Sequence, residues 1–411
     1  MLLQTDKKRR ILILMSDTGG GHRAAAEAIR DALFRRPGPE AVAVELVDVF
    51  RDYSPAPFKY LPEIYPWWVN NSKQSWGAGY KLSNTRRRAR ILSTTIFHTL
   101  ELGLKRLLRE HPADVIVCVH SALARPTMKA MQSLPGRASF VVVVTDLVST
   151  HHMWYERRAE RTLVPTAAAF ARGLENGMMQ EQLRLTGLPV HPNFIDGLTD
   201  RASARERLEL DPHQPVVLLV GGVDGMGPVY RTALAINDRR PQCQLLIITG
   251  RNATLRQRLQ SVVWNQPTRI YGFRRDMPVV LAATDIIVTK AGPATISEAC
   301  IAGVPLILYD AIPGQESGNV DWVIEHGVGV FTPDPREIGD TLLAWLAEGP
   351  EGLQRRSQRA RAQARPDAVF EIAADIWHLA QQGPQATRGK PLLRQGIEDL
   401  AAATLRRARD H

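Results

Sequence analysis

Short apolar runs recur along the chain, each closed by glycine or polar residues and followed by a segment with helical spacing. The first covers residues 11–15 and leads into Ser16-Asp17-Thr18-Gly19-Gly20-Gly21-His22, after which Ala25, Ala28, Ile29, Ala32 and Leu33 fall on one helical face. Residues 41–49, 115–119 and 140–144 continue the series, rich in the β-branched residues that suit a parallel sheet buried on both faces. A proline-rich joint at 186–192 closes this array, and a second begins with the run 215–220, then 245–249, 269–271, 285–288 and 304–308. Strand, glycine turn and helix in alternation predict an α/β protein of two doubly wound, Rossmann-like domains facing each other across a cleft. The boundaries expected are 1–191, 192–380 and a basic tail over 381–411.

Residues 51–85 interrupt the rhythm. Pro55, Pro57, Pro62 and Pro66 stand among Phe58, Tyr60, Tyr65, Trp67, Trp68, Trp76 and Tyr80, which predicts a long irregular insertion. Arg86, Arg87, Arg88 and Arg90 then open a helix running to about Leu108. Aromatic rings beside basic side chains suit a lipid interface, and the alternative is an aromatic mini-core with a solvated charged face. Helical spacing resumes from Glu351 to about Gln382. Beyond Pro384, Leu393, Ile397 and Leu400 share one face and arginines lie elsewhere, a pattern of either a lipid-lying or a frayed surface helix.

Composition narrows the partners. With 411 residues, 44% hydrophobic and 23% charged, the chain has the make-up of a globular protein large enough for two cores. Its net charge, 52 − 42 = +10, favours a polyanionic surface. Aromatic content of 6% and the lack of zinc-finger spacing leave nucleic acid with charge alone, so none is expected as a partner. The basic N-terminus precedes too short an apolar run for a secretory signal, and no run approaches a membrane span. Three separated cysteines indicate reduced core residues. A cytoplasmic protein held peripherally at an anionic membrane is the expectation.

The chemistry concentrates in residues 289–319. The turn Ala291-Gly292-Pro293-Ala294-Thr295 opens a helix, whose free N–H groups and dipole form an anion site. Glu298, one turn inside, can accept two hydrogen bonds from a ribose diol, unless it is an ordinary exposed helix residue. Gln315, Glu316 and Asn319 follow on a glycine-flanked loop and could hold sugar hydroxyls. In the first array His22 stands beside three glycines at a strand end. A general base fits that place better than a helix-capping histidine, because imidazole titrates near neutral pH. Asp146 and His151, after the run 140–144, are acceptor-side candidates.

Residues 289–319 resemble the nucleotide-sugar signature of glycosyltransferases that include monogalactosyldiacylglycerol synthases, processive diacylglycerol glucosyltransferases and the enzyme that adds N-acetylglucosamine to lipid I. The opening, DTGGGHRAAAEAI, is similar to that of the diacylglycerol branch. The resemblance implies the GT-B architecture, with the last helix crossing back to the first domain. It implies that His22 takes the proton of the acceptor hydroxyl and that Glu298 holds the UDP ribose. Gly222, Gly292, Ala294 and Thr295 would face the diphosphate, Phe273 the uracil, and Gln315, Glu316 and Asn319 the donor sugar. Trp67 and Trp68 fall in the region it assigns to acceptor binding.

The activity implied is inverting transfer of a hexose from a UDP-sugar to diacylglycerol, giving a β-monoglycosyldiacylglycerol without cofactor. No Asp-x-Asp pair stands at a strand end, so no metal is expected. Galactose, glucose and glucuronic acid all stay open as the sugar. Other readings are a polyprenyl-linked or sterol acceptor, a UDP-sugar epimerase, or a basic binding protein whose site has lapsed.

Overall fold

The computed structural model describes residues 8–383 except 19, 135–137, 223, 224 and 226. The predicted basic tail beyond Pro384 therefore lies outside the described residues. Among the described residues, twelve strands form two parallel sheets. The first contains β1 (Arg9–Met15), β2 (Val42–Asp48), β3 (Val115–Cys118), β4 (Ser139–Val143), β5 (Arg161–Val164) and β6 (Leu183–Leu185), ordered β2-β1-β3-β4-β5-β6. The second contains β7 (Val216–Val220), β8 (Gln244–Ile248), β9 (Thr268–Tyr271), β10 (Ile286–Lys290), β11 (Leu306–Asp310) and β12 (Gly329–Phe331), ordered β12-β11-β10-β7-β8-β9.

Alternation along each strand divides the cores. Leu12 and Leu14 of β1 pack on one face with Ile116 and Phe140, whereas Ile11, Ile13 and Met15 pack on the other with Val115 and Val117. In β7, Val216, Leu218 and Val220 belong to one cluster and Val217 and Leu219 to the opposite one. Burial of both faces explains why these runs are continuously apolar. The strand orders reverse direction between β1 and β3 in the first sheet and between β7 and β10 in the second. Such a reversal opens a crevice at the carboxyl ends of the strands. The chemistry described below collects at these two crevices.

Among the helices, α1 (Gly20–Arg35) follows β1. The stretch expected to be irregular is instead helical. A short helix over Val49–Tyr53 is followed by α2 (Leu61–Asn71) and α3 (Lys73–Ser83), before α4 (Arg86–Glu110). Pro62 sits in the first turn of α2, where a missing N–H costs nothing. In the second half, α5 (Pro293–Ala302) follows β10 and α6 (Ser317–Glu325) follows β11.

The helical pattern expected from Glu351 to Gln382 is two helices, α7 (Gly349–Ala362) and α8 (Ala368–Gln382). Pro366 lies between them, and proline disfavours helix both at itself and at the residue before it. Helix α8 packs on the first sheet, with Val369, Ile372 and Ile376 in the cluster that holds Ile11 and Ile13. Arg184 of β6 fastens it through Asp375 at 2.6 Å.

Candidate active site

At the crevice of the first sheet, the residue after β1's glycine turn meets the residues after β3 and β4. His22 Nδ1 lies 2.8 Å from the Val119 carbonyl and 3.0 Å from Thr145 Oγ1. A carbonyl only accepts, so Nδ1 carries the hydrogen and Nε2 keeps its lone pair. Burial pushes the His22 pKa down to about 4, against the raising effect of the carbonyl bond, so the ring is neutral near pH 7. His120, at the end of β3, lies 4.4 Å from it between ring centroids. The Ala122 N–H donates to His120 Nδ1, so Nε2–H donates to Thr18 Oγ1 at 2.8 Å. Burial thus takes His22 away from the near-neutral titration expected of it, and leaves a neutral ring with a fixed tautomer whose Nε2 makes no hydrogen bond among the described residues.

Asp146 is buried in the same region and accepts from the Trp154 indole N–H at 2.7 Å. Burial raises its pKa to about 6, while hydrogen bonds from Trp154 and Gln315 hold it lower than burial alone would. His151 is otherwise engaged. Its Nδ1 accepts from the Met153 N–H, and its Nε2 meets Ser83 Oγ at 3.1 Å beneath the Tyr80 ring. Those contacts anchor α3 and leave His151 with no ring nitrogen to spare.

In the second half, α5 starts at the crevice between β7 and β10. Gly292 is its N-cap residue in extended conformation, and Pro293 takes the first helical position. Ala294 is exposed and Thr295 half-buried there, with the unpaired N–H groups of a helix start. Gly222, after β7, has φ +76°, a conformation that favours glycine. Between the two turns runs Lys290: a Cβ added at Gly292 would stand 3.3 Å from its Nζ, and one at Gly222 3.6 Å from its Cε. Sequence reasoning passed over Lys290, although a lone lysine ending an otherwise apolar strand was the available signal.

Glu298 is half-buried, and its carboxylate takes no hydrogen bond from another group among the described residues. Burial raises its pKa to about 7. Phe273, beyond β9, is 50% exposed with the Arg251 guanidinium 5.5 Å from its ring centroid.

The stretch 314–319, expected as a loop, is a short turn whose Glu316 is the N-cap residue of α6, so Asn319 lies in the first turn of that helix; it meets the first domain. Asn319 is buried, its Oδ1 accepting from the Val148 N–H at 3.2 Å and its Nδ2 donating to the Ala291 carbonyl at 2.9 Å. Glu316 takes the Lys290 ammonium on Oε1 at 3.1 Å and the Ile312 N–H on Oε2 at 2.9 Å. Gln315 reaches across to Tyr65 and Trp76. Asn319 thus fixes the geometry between the halves with both amide ends occupied, and Glu316 is likewise buried with both carboxylate oxygens engaged, so of the three residues expected to hold the sugar only Gln315 is left with a polar end not taken up by these bonds.

Trp67 and Trp68 point outward, 67% and 40% exposed, in line with exposed Tyr60 and Ile64. Tyr65 and Trp76 point inward, so the aromatic group is divided between two faces. Beside it Arg86, Arg87, Arg90, Arg125, Arg157 and Arg158 line a cavity of about 510 Å³, with the buried Glu156 as their carboxylate. Among the described residues no helix is long and apolar enough to cross a membrane, and no group of three or more metal-ligating side chains is present.

Two doubly wound domains, with a neutral imidazole at the strand ends of one and a helix N-terminus beside a carboxylate at those of the other, make up the GT-B fold. The MurG of Acinetobacter baumannii aligns over 90% of this chain and 100% of its own with a TM-score of 0.57 at 15% identity. A UDP-GlcNAc 2-epimerase from Neisseria meningitidis aligns over 90% and 100%, also at 0.57, with 12% identity. These likenesses show the fold. The family model for monogalactosyldiacylglycerol (MGDG) synthase matches residues 22–190, and that for the glycosyltransferase family 28 C-terminal domain matches 216–326.

The probable monogalactosyldiacylglycerol synthase 2, chloroplastic, of Oryza sativa subsp. indica is 39% identical over 396 residues, covering 94% of this chain and 84% of that protein. The monogalactosyldiacylglycerol synthase 3, chloroplastic, of Arabidopsis thaliana is 37% identical over 388 residues, covering 92% and 83%. The chain belongs to the monogalactosyldiacylglycerol synthase family.

Proposed function

We propose that this enzyme transfers galactose from UDP-galactose to diacylglycerol, forming a β-linked monogalactosyldiacylglycerol with inversion at the anomeric carbon. The observation that carries this reading is His22: neutral, its tautomer fixed by Val119, its Nε2 without a hydrogen bond among the described residues, at the strand ends of the first sheet. In the step proposed, the acceptor hydroxyl loses its proton to Nε2 as its oxygen bonds to the anomeric carbon. The bond from that carbon to the UDP oxygen breaks on the opposite face. The departing diphosphate is met by the Ala294 and Thr295 N–H groups and by Lys290, and electrostatic stabilisation of that kind is a large catalytic term. Glu298 holds the ribose diol, and Phe273 and Gly222 border the nucleotide. Gln315 and Glu316 face the sugar, and Asp146 lies on the acceptor side. Residues 1–191 would serve the acceptor and 192–380 the donor.

Galactose and diacylglycerol are favoured by the names of the relatives. Pairing UDP-galactose, UDP-glucose and UDP-glucuronic acid in turn with diacylglycerol and with a polyprenyl-linked acceptor in a radiolabel transfer assay tests both. Transfer from UDP-galactose alone is the expected result, and transfer only to a polyprenyl-linked acceptor would overturn it.

The lipid acceptor calls for a membrane surface. Ile64, Trp67 and Trp68 would enter the interface, and the arginines at the start of α4 would meet anionic headgroups. Each basic residue contributes about 1 kcal/mol near an anionic surface, an effect that fades as salt shortens the Debye length. Neutralising Arg86, Arg87, Arg88 and Arg90 should remove the preference for anionic vesicles, whereas replacing Trp67 and Trp68 should weaken binding at every salt concentration. Vesicle co-sedimentation over a salt series measures both, and wild-type partitioning by both variants would refute the peripheral docking.

A further inference from the structure

The Gln315 side chain belongs to the second domain, but its orientation is set by the first. Its Oε1 accepts from the Tyr65 hydroxyl at 3.3 Å and from the Trp76 indole N–H at 3.2 Å. An amide oxygen offers two lone pairs, so these two donors fill it and decide which end of the amide faces where. Hydrogen bonds from the Trp154 indole and from Gln315 lower the Asp146 pKa against the raising effect of burial. With Oε1 filled, the donor end of the amide is what remains for Asp146 and for a ligand.

The donors themselves sit on a firm support. The Tyr65 and Trp76 rings meet edge to face at 4.9 Å between centroids, and Trp76 meets Trp68 likewise at 5.4 Å. Helix α3 is clamped to the donor side by the Lys73–Asp310 ion pair and by the close approach of Gly77 to Pro313.

We infer that Tyr65 and Trp76 are positioning residues for donor selection, holding the Gln315 amide in one polarity from across the cleft. The inference rests on the reading of residues 314–319 as the donor-sugar loop. A C4-epimeric pair of hexoses differs in the direction of one hydroxyl. An amide free to exchange its ends can serve either epimer, whereas one fixed by two donors offers a hydrogen in one place only. A site built to hydrogen-bond one hydroxyl rejects the sugar that leaves its polar groups unmatched. Choice of sugar would then depend on the acceptor domain being closed on the donor domain, although no acceptor-domain residue belongs to the nucleotide site.

Calorimetry on the full chain with UDP, UDP-galactose and UDP-glucose tests this, using Tyr65→Phe, Trp76→Phe and the double variant. Tyr65→Phe keeps the ring and removes only the donor, so it guards against a folding defect. UDP affinity should stay at the wild-type value. The preference between the two UDP-hexoses should fall roughly threefold to tenfold per hydrogen bond removed. In transfer assays the KM for the favoured donor should rise while kcat at saturating donor holds. An unchanged preference in the double variant would overturn the inference, as would parallel loss of UDP and UDP-hexose, the mark of a merely structural role. Failure of the wild-type chain to bind UDP or any UDP-hexose would sink the donor-site reading itself, and this inference with it.

Discussion

The rim of α5 and the helical pair α2–α3 both border the loop that carries Gln315, yet they arise from different kinds of information. The rim is local. An apolar run, a glycine, Pro293 at the first helical position and a helix of small and apolar residues specify strand, turn and helix within about fifteen positions, whatever surrounds them. The pair is not local. Its prolines break the periodicity, and its place is decided by the Lys73–Asp310 ion pair, by Tyr65 and Trp76 on Gln315 and by the Tyr80 hydroxyl on the Ser149 carbonyl. Chemistry fixed by the backbone of one unit can be read from one stretch of sequence. Chemistry completed by a distant element cannot.

The largest expected effect tests the local side of this contrast. His22→Ala should lower kcat by about 10²–10⁴-fold, the usual contribution of a general base, with UDP affinity unchanged if the nucleotide is held by the second domain as proposed. Near-normal turnover would move the base to Asp146.

Next in size is Glu298. Removing a hydrogen-bonding charged partner costs about 1.5–3 kcal/mol, so Glu298→Ala should weaken UDP by roughly tenfold to a hundredfold in calorimetry. Unchanged affinity would take Glu298 out of the site. The pH dependence sharpens the test. Burial raises the Glu298 pKa to about 7, and a ribose diol donates best to the ionised form, so UDP affinity should climb as pH rises toward 7 and level off above it. The sign for stability is opposite. Because the folded-state value exceeds the unfolded one, the free protein should lose stability from this group as pH rises from about 4.5 to about 7. Glu298→Gln should flatten both profiles.

The same contrast explains what could be read from sequence. Most of both sheets, the two crevices, His22 and the helix start at Gly292 follow from runs and turns, whereas the short strands β5, β6 and β12 were not among the runs read. His120 was visible only as a polar strand end, because its nearness to His22 depends on β3 lying beside β1. Lys290 and the inward-facing Tyr65 and Trp76 were legible as residue types without a destination. The break between α7 and α8 was signalled by Pro366, but helical spacing on either side concealed it.

The smallest effect expected separates the two sides of the contrast most cleanly, because it uses two glycines on one helix. In α3 a Cβ at Gly77 would stand 2.6 Å from Pro313 Cβ and 3.0 Å from the Pro313 carbonyl oxygen, whereas one at Gly79 would meet nothing within 4 Å. The two alanine substitutions change helix propensity alike, each favouring the helix by about 0.5–1 kcal/mol. Only Gly77→Ala drives a methyl into backbone and proline ring, and overpacking of that kind costs about 1–3 kcal/mol. The proline cannot rotate away, so α3 must withdraw and carry the Trp76 donor from Gln315. Gly77→Ala should therefore lower affinity for the UDP-hexose relative to UDP by about threefold, by loss of part of a hydrogen bond. Gly79→Ala should leave both affinities as they are and raise the unfolding midpoint slightly. Equal donor binding by the two variants would show that the helical pair is only a neighbour of the donor loop, with the sugar pocket as local as the rim of α5.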